Sequence, residues 1–267
     1  MENNGHNKNV QEFFRGIASS YDQIYSHPFY TKIWDTITWD YIYPYLPNVG
    51  KVLDAGGGTG KWALRIAENQ NLSVTIYDLS TDLLERASMK INSLGISNVL
   101  CAEGDICKIP FDNESFDFVC ALGEPISYCY DPVKAIQELS RVLCREGHIV
   151  VDACSLYGKI RSLIEYDLLS LEEVIETLQK RTLNTRSGFT AHLFTPESLS
   201  AILESASIRI KKVIGKIIVT QKFDPLSGSH RKEKVNEKLV EIEKLMCEEP
   251  ALIGSAESIQ IVGQKGG

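Results

Sequence analysis

The chain has 267 residues, of which 43% are hydrophobic and 24% are charged, and its formal net charge is −7. A chain of this length and composition can bury a substantial core, which excludes an intrinsically disordered protein. Its basic residues are scattered along the sequence rather than gathered into a stripe, so we expect no nucleic-acid partner.

The sequence also carries expectations about compartment and metal binding. Its polar start lacks the apolar core of a signal peptide, and no apolar run approaches the ~20 residues that span a bilayer. We therefore expect a cytoplasmic protein that makes no membrane contact. The seven cysteines form no Cys-x-x-Cys pair and no cluster with histidine at metal-binding spacing. We expect reduced, buried thiols and no metal site.

In chain order, the first segment is rich in Phe, Tyr and Trp and predicts a helical cap over residues 1–45. Short β-rich runs then alternate with helical patterns over 46–154, which is typical of βαβ units around a parallel sheet. The predicted strands of this core lie at 51–55, 73–77, 97–101, 116–121 and 147–153. The predicted helices lie at 61–70, at 81–94 and from 131 to about 144.

The carboxyl part departs from this alternation. Residues 159–180 have the apolar spacing of one or two amphipathic helices and predict a helical lid over 155–194. The remaining segment, 195–267, is assigned to the carboxyl-terminal part of the core, with an inserted helix near 229–248. Its other predicted elements are a helix at 195–205, a β-rich run at 208–220 and a last strand at 258–262.

The strongest functional signal is Asp54-Ala55-Gly56-Gly57-Gly58-Thr59-Gly60, where a strand ends at an acidic residue and runs through glycines into a helix. Glycine lets a ligand approach the backbone where a side chain would collide, and the start of the helix offers free N–H groups. This pattern alone also fits a degenerate dinucleotide fingerprint. Asp78, at the end of the second strand, is placed to accept both hydroxyls of a ribose in either case.

Two further carboxylates favour an amino-acid-bearing ligand over a dinucleotide. Asp54 at the entrance of the turn would repel a pyrophosphate but suits the ammonium group of an amino acid. Asp105, after the third strand, is placed to bond the exocyclic amine of adenine, with Ile106 flanking the ring. An ordinary turn residue stays an open interpretation of Asp105, because aspartate is common in turns.

The glycine turn, Asp78 and Gly104-Asp105-Ile106 resemble three motifs of the class I S-adenosylmethionine (SAM)-dependent methyltransferases, and they occur in the family's order. The resemblance implies an α/β, Rossmann-like seven-stranded sheet with a helical N-terminal cap and inserted lid helices, and it implies SAM as the cofactor. The segment from Phe14 to Asp22 is similar to the leading helix of small-molecule members, whose tyrosine reaches the SAM pocket. The residues that the resemblance assigns to SAM binding are Tyr21, Asp54, Gly56, Gly58, Gly60, Asp78, Leu79, Asp105, Ile106 and Leu122.

The carboxyl-terminal part departs from the family pattern. The family closes its sheet with an antiparallel pair of strands joined by a short turn, whereas about 35 residues separate 208–220 from 258–262. Either the helix near 229–248 is a second cap, or the strand assignment is wrong.

In a sheet of this kind the loop after the fourth strand faces the transferable methyl group, because ligands bind at the carboxyl ends of the strands. That loop, 122–128, lacks the Asp/Asn-Pro-Pro-aromatic signature of enzymes that methylate amide or base nitrogens. Glu124 is the candidate catalytic residue, as an acceptor contact or a base, with a local loop cap as the alternative. Tyr128 and His192 are candidate substrate contacts. Simple packing is the alternative for Tyr128, and a surface or junction position is the alternative for His192.

These observations predict an enzyme that transfers a methyl group from SAM to a small-molecule acceptor and yields S-adenosylhomocysteine (SAH). Two alternatives stay open. A nicotinamide-dependent oxidoreductase is disfavoured by Asp54 and by the lack of an evident catalytic Tyr-x-x-x-Lys motif or separate substrate domain. A protein that binds SAM without turnover, as a sensor or an assembly partner, is compatible with the same motifs.

Overall fold

A computed structural model gives the structure of residues 2–26, 30–219 and 232–266. The strands are β1 (Gly50–Ala55), β2 (Leu72–Asp78), β3 (Val99–Glu103), β4 (Phe116–Ala121), β5 (Leu143–Cys154), β6 (Thr182–Asn184), β7 (Thr190–His192), β8 (Ile208–Lys216) and β9 (Ser258–Lys265). The helices are α1 (Glu2–Ile17), α2 (Tyr21–Ile24), α3 (Tyr30–Asp40), α4 (Lys61–Ile66), α5 (Thr81–Leu94), α6 (Pro125–Tyr128), α7 (Pro132–Val142), α8 (Leu156–Glu165), α9 (Leu171–Lys180), α10 (Pro196–Ser205), α11 (Lys232–Met246) and α12 (Pro250–Ile253).

A seven-stranded sheet forms the centre of the described chain, in the order β3-β2-β1-β4-β5-β9-β8. The first five strands of this order are parallel, while β9 runs antiparallel to both β5 and β8. The chain moves outward from β1 to β3 and then returns to place β4 on the other side of β1. The strand order therefore reverses between β1 and β4, and ligands of such sheets bind in the crevice at the carboxyl ends of the strands there.

Alternate side chains of the strands point to opposite sides of the sheet, and helices cover both of its faces. On one face, Leu53 and Val151 pack in a cluster that includes Leu139 of α7 and other apolar side chains of α7 and α10. On the other face, Val52 and Phe118 pack in a second cluster with side chains of α4 and α5. The predicted α/β, Rossmann-like fold with a seven-stranded sheet is confirmed.

The five strands predicted for the core are all present, with boundaries shifted by a few residues. The third strand begins at Val99 and the fifth at Leu143, so the sequence pattern misplaced both starts. The helix after the glycine turn ends at Ile66, earlier than predicted, because the chain turns back there to enter β2. The start of α7 is as predicted: the side chain of Asp131 accepts a hydrogen bond from the N–H of Lys134 and caps the helix.

The segment 155–194 is not helical throughout, contrary to the prediction. Helices α8 and α9 occupy its first part, and β6 and β7 form an antiparallel hairpin in its last part. The sequence signal for this hairpin is weak, since each strand has only three residues. The hairpin contacts α1, because Asn9 donates a hydrogen bond to the carbonyl of Gly188 and the rings of Phe13 and Phe189 are 5.7 Å apart. The division of the chain into cap, core and lid stays a prediction.

The strands β8 and β9 are antiparallel neighbours, so the strand assignment in the carboxyl part is confirmed. Helices α11 and α12 lie between them along the chain. Leu239 of α11 packs beside Ile33 and Ile37 of α3, which joins the inserted helix to the amino-terminal segment. Residue 220, the predicted end of the β-rich run, and the predicted helix start at 229–231 lie outside the described residues.

A buried ion pair joins β8 to β5 beneath α3. The ammonium group of Lys216 lies 2.6 Å from Asp152 Oδ2, and neither side chain is exposed. Lys216 also donates to the hydroxyl of Thr38 and lies 4.1 Å from the ring centre of Trp34. The second carboxylate oxygen of Asp152 accepts a 2.7 Å bond from the backbone N–H of Glu124. This pair therefore links the last strands of the sheet to the loop after β4.

Replacing Lys216 with methionine is expected to destabilise the protein by about 3–5 kcal/mol, because Asp152 is then buried without a countercharge. The double variant Lys216→Met/Asp152→Asn removes both charges and leaves an oxygen for the N–H of Glu124. We expect it to be more stable than the single variant in urea unfolding at neutral pH. If the double variant is no more stable than Lys216→Met, the loss comes from packing around the lysine stem rather than from the unpaired charge.

Candidate active site

A cavity of about 680 Å³, counting the space open to solvent at its mouth, lies at the carboxyl ends of β1, β2 and β4. Its volume is in the range of small-molecule sites. Three parts of the chain contribute to its walls: the amino-terminal helices, the loops after β1, β2 and β3, and the loop after β4. The lining residues are Asn7, Val10, Gln11, Phe14, Tyr21, Gly56, Gly58, Asp78, Leu79, Ser80, Leu83, Asp105, Ile106, Leu122, Gly123, Pro125, Tyr128 and Cys129.

The glycine turn forms one wall of this cavity. Gly56 has φ of +72°, and a Cβ atom there would lie 2.4 Å from the Cβ of Pro125, so only glycine fits between the turn and the loop after β4. Gly58 has φ of +53° and donates its N–H to Asp78 Oδ2 over 2.8 Å. Gly60 does not line the cavity; it precedes α4 in a left-handed conformation with its Cα facing Ile76. The turn therefore presents two of its predicted glycines to a ligand.

Asp54 lies under the turn rather than in the cavity wall. Its carboxylate is fully buried, accepts a 3.1 Å bond from the N–H of Ala63 in the first turn of α4 and contacts the thiol of Cys120 at 3.5 Å. The side chain therefore points to α4 rather than into the cavity, and its predicted role toward a ligand ammonium stays a prediction. Burial raises the pKa of Asp54 to about 7, although the bonds from Cys120 and Ala63 lower it.

The hydrogen bond between Asp54 and Ala63 also concerns the dinucleotide alternative. A pyrophosphate binds at the start of the helix after the first strand, where free N–H groups point at the anion. Here Asp54 already occupies one of those donors, the N–H of Ala63, and it would add its own charge to that of the phosphates. Asp54 therefore still disfavours a dinucleotide, because it occupies an N–H group of the helix start and adds negative charge there, although it does not line the cavity.

Asp78 and Asp105 lie where the sequence predicts, with carboxylates that already accept hydrogen bonds. Asp78 accepts from the N–H groups of Gly58 and Ser80, each at 2.8 Å, and burial raises its pKa above the ordinary value. Asp105 accepts from the N–H of Cys107 through Oδ1. Both side chains line the cavity. They are fixed acceptors whose remaining lone pairs are available to a ligand.

The amino-terminal helix α1 closes the cavity through polar contacts that the sequence did not reveal. Asn7 donates to Asp105 Oδ2 over 2.8 Å, and Gln11 donates to the backbone carbonyl of Leu79 over 2.9 Å. Both side chains line the cavity. They carry no motif, since their partners lie far away in the sequence. Asn7 holds the carboxylate that was predicted to bind adenine, so a ligand amine at that position must share or replace this bond.

The acceptor side is built around Glu124, which starts α6. Its φ of +67° lies in the left-handed region, and the bond from its N–H to Asp152 holds it there. Its carboxylate accepts from the hydroxyl of Tyr128 at 3.2 Å and from the thiol of Cys154 at 2.9 Å. Tyr128 lines the cavity, so the carboxylate lies one hydrogen bond behind the wall. Burial, with a smaller contribution from Asp152, raises the pKa of Glu124.

His192 is not brought into the cavity. It ends β7, is partly buried, and lies close to His6, whose Nε2 is 2.8 Å from the backbone carbonyl of Tyr128. Burial, with the charge of His6, lowers the pKa of His192. The histidine therefore belongs to the junction between the hairpin and α1.

Most of the residues predicted for SAM binding come together in this cavity. Eight of the ten predicted positions line it, and the exceptions are Asp54 and Gly60. Of the acceptor-side candidates, Tyr128 lines the cavity, whereas Glu124 and His192 do not. The roles of all these residues stay predictions.

Comparison with known proteins identifies the domain. Residues 52–147 match the family model of the methyltransferase domain. The chain is 31% identical over 147 residues to the putative methyltransferase YqeM of Bacillus subtilis, covering 54% of this chain and 56% of the relative. It is 29% identical over 153 residues to the demethylmenaquinone methyltransferase of Staphylococcus epidermidis, covering 56% of this chain and 61% of the relative.

A solved structure extends the likeness to the whole fold. It is a chain from the complex between the Haloferax volcanii Trm112 methyltransferase activator and a putative methyltransferase. The TM-score is 0.66 at 14% sequence identity, with 97% of this chain and 98% of that chain covered.

Residues 52–147 of the chain therefore carry a methyltransferase domain. The matches span little more than half the length of the two curated relatives. They place the methyltransferase domain in the part of the chain that holds β1 to β5, the glycine turn, Asp78 and Asp105.

The charge of the cavity suits the cosubstrate of this methyltransferase domain. No Lys, Arg or His is found among the residues that line it in the described part of the chain, whereas Asp78 and Asp105 are. SAM carries a sulfonium and an ammonium against one carboxylate, so its net charge complements this lining. Ile106, Leu83 and Leu122 give the cavity apolar surface.

None of the described helices is long and apolar enough to cross a bilayer. Within residues 2–26, 30–219 and 232–266, no group of three or more His, Cys, Asp or Glu side chains is arranged to hold a metal ion.

Asp54→Asn is expected to flatten the pH dependence of stability in the ligand-free protein. The folded-state pKa of about 7 lies above the ordinary value of 3.8, so the folded protein holds a proton that the unfolded chain releases between these values. Stability from this group is present at low pH and is lost as pH rises through about 7. Between pH 5 and pH 8 we expect the Tm of the parent to fall by several degrees (about 2–4 °C per kcal/mol) more than that of the variant.

The asparagine oxygen can still accept the N–H of Ala63, so the variant keeps the helix cap. Thermal unfolding of both proteins across that pH range is the measurement, with Asp82→Asn on the exposed side of α5 as the control. Parallel Tm curves for the parent and Asp54→Asn would show that Asp54 is ionised in the folded protein throughout the range.

Proposed function

We propose that the protein transfers a methyl group from SAM to a small-molecule acceptor and releases SAH. The observation that carries the proposal is the cavity itself, in which Gly56, Gly58, Asp78 and Asp105 meet at the carboxyl ends of β1 to β3, with Tyr128 on the side of β4. The demethylmenaquinone methyltransferase among the relatives has a small-molecule substrate by name, which supports the same acceptor class.

The chain's own residues would bind and orient the two substrates. We assign Asp78 to the ribose hydroxyls and Asp105 to the adenine amine, with Ile106, Leu79 and Leu122 against the apolar parts. When bound, SAM supplies an activated methyl group on a sulfonium, and catalysis then consists largely of holding the acceptor in line with it.

The cap and lid would keep water and polymers out of the site. Helix α1 lies over the cavity, with Asn7, Val10, Gln11 and Phe14 in its wall, and the hairpin β6–β7 contacts α1. We therefore propose residues 1–45 as a cap and 155–194 as a lid on the core. A cavity closed in this way suits a free small molecule better than a nucleic acid or a folded protein.

Isothermal titration with SAM, SAH and NAD tests the cosubstrate. We expect binding of SAM and SAH but not of NAD. Asp78→Asn should weaken SAH binding about 10- to 100-fold, because an amide replaces a charged acceptor of hydrogen bonds. Asp82→Asn, four residues further along the chain and paired with Arg15 at the surface, is the matched control and should bind SAH like the parent. Binding of NAD without SAM or SAH would refute the proposal.

Incubation with methyl-labelled SAM and a deproteinised cell extract tests turnover. We expect the label to appear in a small molecule together with one equivalent of SAH. If SAH binds tightly but no extract yields a labelled product, the protein is a SAM-binding protein without turnover. Label recovered in protein or nucleic acid from an untreated extract, but never in a small molecule, would contradict the acceptor class.

A further inference from the structure

One carboxylate at the acceptor side has no countercharge among the described residues. Glu124 accepts hydrogen bonds from the neutral groups of Tyr128 and Cys154, and no Lys, Arg or His of the described chain forms an ion pair with it. The nearby Asp152, by contrast, is fully paired with Lys216. Burying a carboxylate without a cation is costly and raises its pKa, and a cationic ligand in the adjoining cavity would supply the missing countercharge.

Aromatic rings stand around this carboxylate. Tyr128 bonds Glu124 directly and lines the cavity, and Tyr21 lines the cavity from the amino-terminal helices. The ring of Tyr25 is 4.7 Å from that of Tyr21, and half of Tyr25 is exposed. We call the three residues Tyr21, Glu124 and Tyr128 the acceptor chamber.

The chamber selects by charge. Aromatic faces attract cations, and a carboxylate binds an ammonium through charge-assisted hydrogen bonds. No Lys, Arg or His of the described residues lines the adjoining cavity. A carboxylic or phosphoric acid would therefore meet Glu124 with no group to neutralise it. A neutral acceptor would leave the carboxylate as poorly compensated as it is in the free protein.

We propose that the methyl acceptor is an amine, bound as its ammonium against Tyr21 and Tyr128 in the cavity wall, with Glu124 behind Tyr128 as its countercharge. This inference rests on the proposed methyltransferase function and adds the chemical class of its second substrate. The residues that carry it are distinct from those assigned to SAM, except for Tyr21.

The chemistry balances with Glu124 as the base. An ammonium cannot attack, because its nitrogen lone pair holds a proton. The Tyr128 oxygen takes that proton as the N–H bond breaks, while the hydroxyl proton of Tyr128 passes along its hydrogen bond to Glu124 and forms an O–H bond there. The freed lone pair then forms the N–C bond to the methyl group, and the electron pair of the breaking C–S bond stays on the sulfur of SAH. The raised pKa of Glu124 makes it a better base than an exposed carboxylate.

Three probes of equal size separate the charge classes: benzylamine as the cation, benzyl alcohol as the neutral molecule and benzoate as the anion. Each is titrated into the protein saturated with SAH, and binding is followed by ligand-observed NMR. We expect benzylamine to bind at least ~10-fold more tightly than benzyl alcohol, with no detectable benzoate binding up to ~10 mM. This readout measures binding and does not depend on turnover.

Glu124→Gln tests the assigned carboxylate. The amide keeps the size of the side chain but loses the charge, so we expect benzylamine affinity to fall at least ~10-fold, toward that of benzyl alcohol. The affinity for SAH should stay unchanged, because Glu124 does not line the SAM cavity, and this also shows that the variant folds. Glu172→Gln, on the exposed surface of α9, is the control and should bind benzylamine like the parent.

The outcomes distinguish this inference from the function on which it rests. If SAH binds but benzyl alcohol or benzoate binds as well as benzylamine, or if benzylamine does not bind up to ~10 mM, the amine assignment is overturned and the methyltransferase proposal stands. Full retention of benzylamine affinity in Glu124→Gln overturns it as well. If SAH itself does not bind, the proposed function fails.

Discussion

The hydrogen bond from the N–H of Ala63 to the carboxylate of Asp54 is the constraint on which the site depends. It joins the end of β1 to the first turn of α4 across the glycine turn, and so fixes how the chain leaves the sheet. With the turn fixed there, the N–H of Gly58 points at Asp78 and Gly56 packs against Pro125. This bond thus holds the turn that contacts the loops after β2 and β4, and together these loops form walls of the cavity.

The fold and the cosubstrate side of the site could be read from the sequence because local patterns determine them. Alternating β-rich runs and helical periods predict the parallel core. Residues at or just after the ends of parallel strands, such as Asp78 and Asp105, must lie at one edge of the sheet. The direction of the Asp54 side chain could not be read in this way. It depends on where α4 begins relative to the end of β1, a matter of one or two residues.

The cap and lid were less accessible to sequence reasoning because their contacts are distant and carry no motif. Asn7 meets Asp105 across 98 positions of the sequence, and Gln11 meets Leu79 across 68. The hairpin β6–β7 has strands too short for a clear period, and besides its own turn at Thr185 and Gly188 it is stabilised by ring contacts with α1. His192 is an example: it lies just before α10 in the sequence, but its side chain does not line the cavity.

The two ends of the site differ in how their charges are held. At the cosubstrate end, Asp54 and Asp78 are buried among backbone N–H groups, which stabilise carboxylates without adding a cation. At the acceptor end the buried Lys216 is paired with Asp152, and Asp152 accepts from the N–H of Glu124 and leaves the Glu124 carboxylate without a cation among the described residues. Lys216 thus helps to position the loop through Asp152. The carboxylate of Glu124 is left to neutral partners, and its protonation is set by burial and by whatever enters the chamber.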